Sequence, residues 1–235
     1  MPIKRPQLVN NEFYHIVKRG VEEREIFLDD EDRLRFVNSL LVFNDIKPAP
    51  WGNRAFWLQR EQFSLGVLGD YKPENPLVEV HAFALMKNHF HLLLRQLVYD
   101  GITDFMRKLG GYSYYFNKKY ERVGPLFQGR FKAVLIKTEN QLRNVFVYIH
   151  TNPLAIIEFN WKERGLKDSQ KALSFLREYR WSSHKDFIGV ENFPNLIYKD
   201  FFSKILGDEK NCEKEIKSWI LYKTDTTLPK DVALE

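Results

Sequence analysis

The chain has almost no cysteine. Its 235 residues include one, Cys212, which excludes an internal disulfide and any metal site built from several thiolates. Long apolar runs are lacking too. No uninterrupted stretch is long enough to span a bilayer, and Met1–Pro6 lacks the apolar core of a secretory signal. These absences set the expectation of a soluble cytoplasmic protein with no membrane partner. There are no repeats and no low-complexity tracts. From Lys47 to Pro76 helical and strand periodicity is missing as well. Pro48, Pro50, Gly52, Gly66, Gly69, Pro73 and Pro76 punctuate that stretch, which reads as an inserted loop stiffened by Trp51 and Trp57.

A strong overall charge is also absent, since the net charge is only +5. It is unevenly spread. Between Ile102 and Lys137 there are eight basic residues (Arg107, Lys108, Lys118, Lys119, Arg122, Arg130, Lys132 and Lys137) against Asp104 and Glu121, so this stretch alone carries 8 − 2 = +6. Tyr112, Tyr114, Tyr115, Phe116, Tyr120, Phe127 and Phe131 lie among them. Cations interleaved with aromatics suit a flexible polyanion whose bases can stack, namely single-stranded nucleic acid. A solvated helix face backed by an aromatic core side fits the same pattern.

The pattern of elements gives an α+β protein. Phe13–Arg19 reads as a first strand, and Asp29-Asp30 caps a helix whose stripe is Leu34, Val37, Leu40 and Leu41, ending near Asn44. Leu77–Leu85 and His89–Arg95 read as a hairpin about Lys87-Asn88. A helix over 103–120 follows, weakened at Gly110-Gly111, and then a strand over Arg130–Ile136. Thr138-Glu139-Asn140-Gln141 matches a capping box ahead of Leu142, Val145, Phe146 and Ile149, and Pro153 is expected to close that helix. The first six elements follow the ferredoxin-like βαββαβ order, with an antiparallel sheet and helices on one face. Domain boundaries are expected at 1–160 and at 161–235, the second a C-terminal extension packing on or near the site. In it a short helix near Gln170–Tyr179 and a charged helical tail after Tyr198 stand out.

The chemistry-bearing feature is His89-Phe90-His91. Side chains two apart on a strand share a face, so Phe90 can anchor a core while both imidazoles converge in front of the sheet. Such a pair is either half a metal site or two satisfied strand histidines. On the capped helix, Tyr148 and Asn152 are four apart and lie on one side, flanking the apolar stripe. There a hydroxyl and an amide oxygen can join a metal site. Equally, Tyr148 can pack at the core rim while Asn152 caps the helix.

Three blocks carry a resemblance. Met86-Lys87-Asn88-His89-Phe90-His91-Leu92-Leu93-Leu94, Gly124-Pro125-Leu126-Phe127-Gln128-Gly129-Arg130-Phe131-Lys132 and Tyr148-Ile149-His150-Thr151-Asn152-Pro153 together resemble the single-tyrosine HUH transposases. Within them the chain is most similar to the REP-associated tyrosine transposases. Tyr14–Gly20 and Tyr179–Ser183 fit that group's pattern too.

The resemblance implies a metal-dependent single-stranded DNA endonuclease and strand transferase acting at hairpins or palindromic repeats. His89, His91 and Asn152 would hold Mg²⁺ or Mn²⁺. Tyr148 would attack phosphorus, leaving a 5′-phosphotyrosine and a free 3′-OH. Arg107, Lys108, Lys118, Lys119, Arg122, Gln128, Arg130 and Lys132 are the expected DNA contacts. His15 is a further polar residue, favoured as structural or substrate-contacting over a ligand. His81, His150 and His184 read as surface or core-edge residues.

The family commonly has proline where this chain has Lys87, a difference expected to alter hairpin rigidity and not chemistry. A nucleoid-associated monomer is expected rather than a homodimer, with no protein partner. The competing reading is a former transposase that binds hairpin DNA or RNA without cutting it. A histidine-triad hydrolase would want a histidine at Leu93 and is disfavoured.

Overall fold

The computed structural model describes residues 6–48, 71–193 and 195–225, the last three by backbone alone. Most of the expected loop over 47–76, with Trp51 and Trp57, lies outside the described residues. Four antiparallel strands form one sheet: β1 (Phe13–Arg19), β2 (Val78–Leu85), β3 (His89–Gln96) and β4 (Lys132–Ile136). Their order is β2-β3-β1-β4. With helix α1 (Asp30–Val42) and the pair α2 (Gly101–Leu109) and α3 (Tyr112–Lys119), this is the ferredoxin-like arrangement. The expected single helix breaks at Gly110-Gly111 into α2 and α3. Helix α4 (Glu139–Thr151) carries Tyr148. After it come α5 (Trp161–Arg164), α6 (Ser169–Glu178), α7 (His184–Phe187), α8 (Asp200–Leu206) and α9 (Glu209–Asp225).

The pleat sorts the helices into two layers. Phe90 meets Phe36 of α1 with ring centroids 4.6 Å apart, and Tyr112 of α3 meets the same Phe36 at 5.3 Å. The face of β3 that bears Phe90 is therefore covered by α1, α2 and α3. The opposite face, carrying His89 and His91, is crossed by α4, which packs on β2 and β3. Burying a side chain such as Phe90 fully contributes about 1.5–3 kcal/mol, so the strand does not flip this register cheaply.

Local signals set the helix ends. The Asp29 carboxylate accepts from the Asp32 amide at 2.9 Å, capping α1. Thr138 Oγ1 accepts from Gln141 N at 3.2 Å, while Gln141 Oε1 accepts from Lys137 N at 2.8 Å and not from Thr138. The box is thus closed one residue early. Pro153 does not end the helical path as expected. Asn152 keeps right-handed helical angles, and Pro153 sits in the first turn of a 3-10 helix over Asn152–Ile156, where its missing N–H is not required.

The C-terminal elements share the main core. Phe146 of α4 packs against Phe187 and Phe202, each at 4.8 Å between centroids, and one continuous apolar cluster runs from Tyr14 to Ile220. The expected division at 160 falls inside this cluster. The outer edge of β2 is covered too: Leu85 N donates to Trp181 O at 2.9 Å, and Tyr198 N to Val80 O at 3.0 Å. His81, His150 and His184, expected at the surface or core edge, are all buried. His81 meets Phe201 and Phe202, His150 meets Phe146 and Phe187, and His184 meets His150, contacts that periodicity alone does not place.

Two expectations follow. Asp32 is fully buried and accepts from Leu28 N, Lys119 Nζ and the hydroxyls of Tyr115 and Tyr120. Asp32→Ala removes the acceptor of Leu28 N and the Tyr115 hydroxyl and one of those shared by Lys119 and Tyr120, and should lower unfolding free energy by about 3 kcal/mol, read by urea denaturation. Burial holds the His184 imidazole down at about 4, and likewise keeps His150 well below the ordinary range. Both are neutral when folded, and the unfolded chain takes up protons first as pH falls. Stability should therefore be intact above about pH 6.5 and drop through the window down to about pH 4, by up to about 3 kcal/mol for His184. Thermal midpoints measured across that window check it; a flat profile contradicts it.

Candidate functional site

The site is built on β3, β1 and α4. In an antiparallel ladder, residues directly opposite share a face. Val17 lies opposite both His91 and Lys132, Arg19 opposite His89, and His15 opposite Leu93 and Val134. His15, Arg19, His89, His91 and Lys132 thus all belong to the face that α4 crosses. Gly20 fixes the nearby turn. Its amide donates to Asn88 O at 2.8 Å, and a Cβ there would lie 2.3 Å from Arg24 O. Only glycine lets the end of β1 approach the backbone of Arg24 this closely.

Each imidazole is oriented by a neighbour. His89 Nδ1 pairs with Asn88 Oδ1 at 2.6 Å, and His91 Nδ1 with His15 Nε2 at 2.9 Å. With Nδ1 engaged, Nε2 is the nitrogen each ring can turn toward a ligand. The two rings lie 4.9 Å apart. His91 Nε2 is buried with no hydrogen-bond partner among the described residues. Desolvation, followed by the charges of His89, His15, Lys162 and Arg19, holds the His91 imidazole well below its ordinary range. A neutral ring is the form that donates a lone pair. His15 therefore stands behind His91 as its orienting partner.

Tyr148 is buried on the near side of α4. Its ring meets His15 and His91 edge-on, each at 5.7 Å between centroids. Asn152 follows one turn later, its backbone amide bonded to Tyr148 O. Both atoms of the Asn152 side-chain amide are buried without a hydrogen bond among the described residues. Polar atoms in that condition are destabilising unless something outside the chain engages them. Imidazole nitrogens and an amide oxygen are the kinds of donor that suit a loosely held divalent ion with open positions. Among the described residues no group of three or more His, Cys, Asp or Glu side chains is placed to bind one.

Sequence reasoning missed one residue here. Lys162, at the start of α5, donates from Nζ to Tyr148 Oη at 3.1 Å and lies 4.5 Å from its ring centroid. It is fourteen positions beyond Tyr148, outside every motif block, and no spacing rule leads to it.

The expected DNA contacts are divided by the sheet. Arg107, Lys108, Lys118 and Lys119 sit on α2 and α3, in the layer opposite the histidines. Lys119 is held by Asp29, Glu31 and Asp32; burial opposes its charge, but these hydrogen bonds outweigh it and raise the ammonium above its ordinary range. Lys108 donates to the carbonyls of Asp45 and Lys47, and Arg107 pairs with Asp104. Arg122 donates to Asn117 at 2.7 Å. Gln128 ties its amide to Arg19 O at 2.8 Å, Arg130 is exposed just before β4, and Lys132 is exposed on the histidine face. The charge near the histidines is thus smaller than the +6 of the stretch. Tyr112 and Tyr115 are also in the far layer, their phenols pushed above the ordinary range by burial. No helix among the described residues is long and apolar enough to cross a membrane.

Residues 67–152 match the family model described as "Transposase IS200 like". Over that stretch, less than half of the chain, the protein is similar to these transposases. It contains His89, His91, Tyr148 and Asn152. No curated protein matches. Among solved structures, the chain is similar to "Structure of the REP associates tyrosine transposase bound to a REP hairpin", at 13% identity and a TM-score of 0.49, covering 85% of this chain and 93% of that one. It is also similar to "Bacterial tRNA(HIS) Guanylyltransferase (Thg1)-Like Protein in complex with ATP", at 10% identity and a TM-score of 0.34, covering 74% and 72%.

The orphaned amide of Asn152 gives a stability test. Asn152→Leu, which keeps the branched outline with no polar atoms, should raise unfolding free energy by about 1–3 kcal/mol in metal-free buffer. Urea denaturation of the two proteins measures it. A loss of stability would mean that the amide is satisfied within the fold.

Proposed function

We propose that the protein is a metal-dependent single-stranded DNA endonuclease and strand transferase in which Tyr148 is the nucleophile. The observation that carries this reading is the packing of a buried tyrosine between His15 and His91 on the face shared with His89. A tyrosine serving only as core filler has no use for two imidazoles against its ring, one of them, His91, with a buried nitrogen that bonds to nothing described. The family-model match over 67–152 supports the reaction class.

His89, His91 and Asn152 are the residues that would hold a divalent ion, Mg²⁺ or Mn²⁺, and such an ion supplies polarisation of a phosphate and an offset for its developing charge. The chain's own groups do the rest. His15 engages His91 Nδ1 and so leaves Nε2 as the nitrogen that would take the ion. The α4 backbone, locked by its N-terminal cap and by aromatic packing behind Phe146, sets where the Tyr148 oxygen lies. That oxygen attacks phosphorus and the 3′-oxygen departs, so a 5′-phosphotyrosine forms. The covalent link retains the phosphodiester energy, and a later 3′-OH can rejoin the strand by the reverse step. Hairpin or palindromic DNA is the substrate implied by the motif resemblance, with Gln128, Arg130 and Lys132 as the backbone contacts nearest the site.

The non-cleaving binder is the alternative, and one assay separates the two. Labelled single-stranded hairpin oligonucleotides are incubated with the protein and Mn²⁺, then resolved under denaturing conditions. The expected result is a protein–DNA adduct that disappears in Tyr148→Phe and with EDTA. No adduct from the wild type across a broad oligonucleotide pool, with binding retained, would favour the binder.

A further inference from the structure

We propose that Lys162 is a catalytic residue of this site: its ammonium holds the phenolic oxygen of Tyr148 and offsets the negative charge that oxygen carries as it attacks a phosphodiester. The inference rests on the reading of Tyr148 as nucleophile and adds a group that lies in none of the motif blocks.

The geometry is specific. Lys162 Nζ donates to Tyr148 Oη at 3.1 Å while sitting 4.5 Å from the ring centroid. The ammonium is therefore close to both the oxygen and the ring. The fold delivers it by a separate route from α4. Beyond the 3-10 turn, Asn160 adopts a left-handed conformation with φ of 60°, one that asparagine tolerates better than most residues. It starts α5, where the amides of Glu163 and Arg164 bond Asn160 O at 3.1 and 3.0 Å. Trp161 is buried in the core and pins the turn. Lys162, the next residue, is thereby aimed back at the nucleophile. A lysine serving solubility alone would keep its ammonium in bulk water; this one gives a donor to a buried phenol.

The chemistry follows from which state the contact favours. During attack the Tyr148 O–P bond forms and the P–O3′ bond breaks. The phenolic proton leaves to water and the departing 3′-oxygen takes one up, so protons balance. Lys162 remains an ammonium throughout. A hydrogen bond from a cation to an oxygen gaining negative charge is stronger than one to a neutral phenol, so the contact lowers the barrier and not merely the ground state.

The test compares Lys162→Met, Lys162→Gln and Lys162→Arg with the wild type on a labelled single-stranded hairpin oligonucleotide with Mn²⁺. Adduct rate, binding affinity and thermal midpoint are measured for each. The two neutral variants should slow adduct formation by about 10²–10³-fold, the loss seen on removing a single charge-stabilising donor, with affinity and midpoint unchanged. Lys162→Arg should recover part of the rate. An unchanged rate overturns the proposal, and so does a fall in affinity that accounts for the whole loss. In DNA-free protein, the ¹³Cε resonance of Lys162, assigned by its disappearance in Lys162→Arg, should move in Tyr148→Phe; no movement overturns the contact. A wild type that forms no adduct overturns the nucleophile reading and the lysine's role with it, whereas an adduct whose rate ignores Lys162 overturns the lysine alone.

Discussion

The pleat of β3 is the constraint on which the site depends. Phe90 is buried between Phe36 and Phe127 in the helix layer, and that burial forces its two neighbours to the other side. A slip of one residue would put both histidines into an apolar core and Phe90 into the site. That would take His89 and His91 away from Asn88 and His15, their hydrogen-bond partners, and Phe90 away from Phe36, so the register is strongly specified. The hairpin carrying this strand is tied to β1 through the close contact at Gly20 and Asn88. Because β1 is the neighbour, its own alternation then places His15 behind His91.

Tyr148 depends on a second fixed element. The cap at Thr138 sets where α4 begins, and the helical period sets that Phe146 and His150 face one way while Tyr148 and Asn152 face another. Phe146 and His150 are gripped by the C-terminal elements, through Phe187, Phe202 and the 2.7 Å bond between His150 and Ser183. The part of the chain after 160 is therefore the back wall that holds the tyrosine helix against the sheet. It also supplies Lys162 from the opposite direction.

The basic stretch shows how charge counted along a sequence misleads. Summed over 102–137 the charge is +6. Folding places α2 and α3 behind the sheet, pairs Lys119 with three carboxylates and turns Lys108 onto backbone carbonyls. Those acids come from residues 29–32, far away in sequence, so a local window does not see them. What remains on the histidine face is Lys132 on the edge strand, with Arg19 and Lys162 from elsewhere.

Much of this protein was legible from short-range rules. The strands, α1 with its aspartate cap, α4 with its threonine cap and the opposition of Phe90 to His89 and His91 follow from alternation and helical period, both properties of neighbouring residues. So does the pairing of Tyr148 with Asn152. The partner of Tyr148, the burial of His81, His150 and His184, and the neutralisation of Lys119 do not. Each depends on contacts between segments that meet only when the sheet closes and the C-terminal helices pack over α4. The sequence by itself determined which side chains share a face. Only the tertiary structure decided what each face meets, because desolvation and charge pairing are set by neighbours in space.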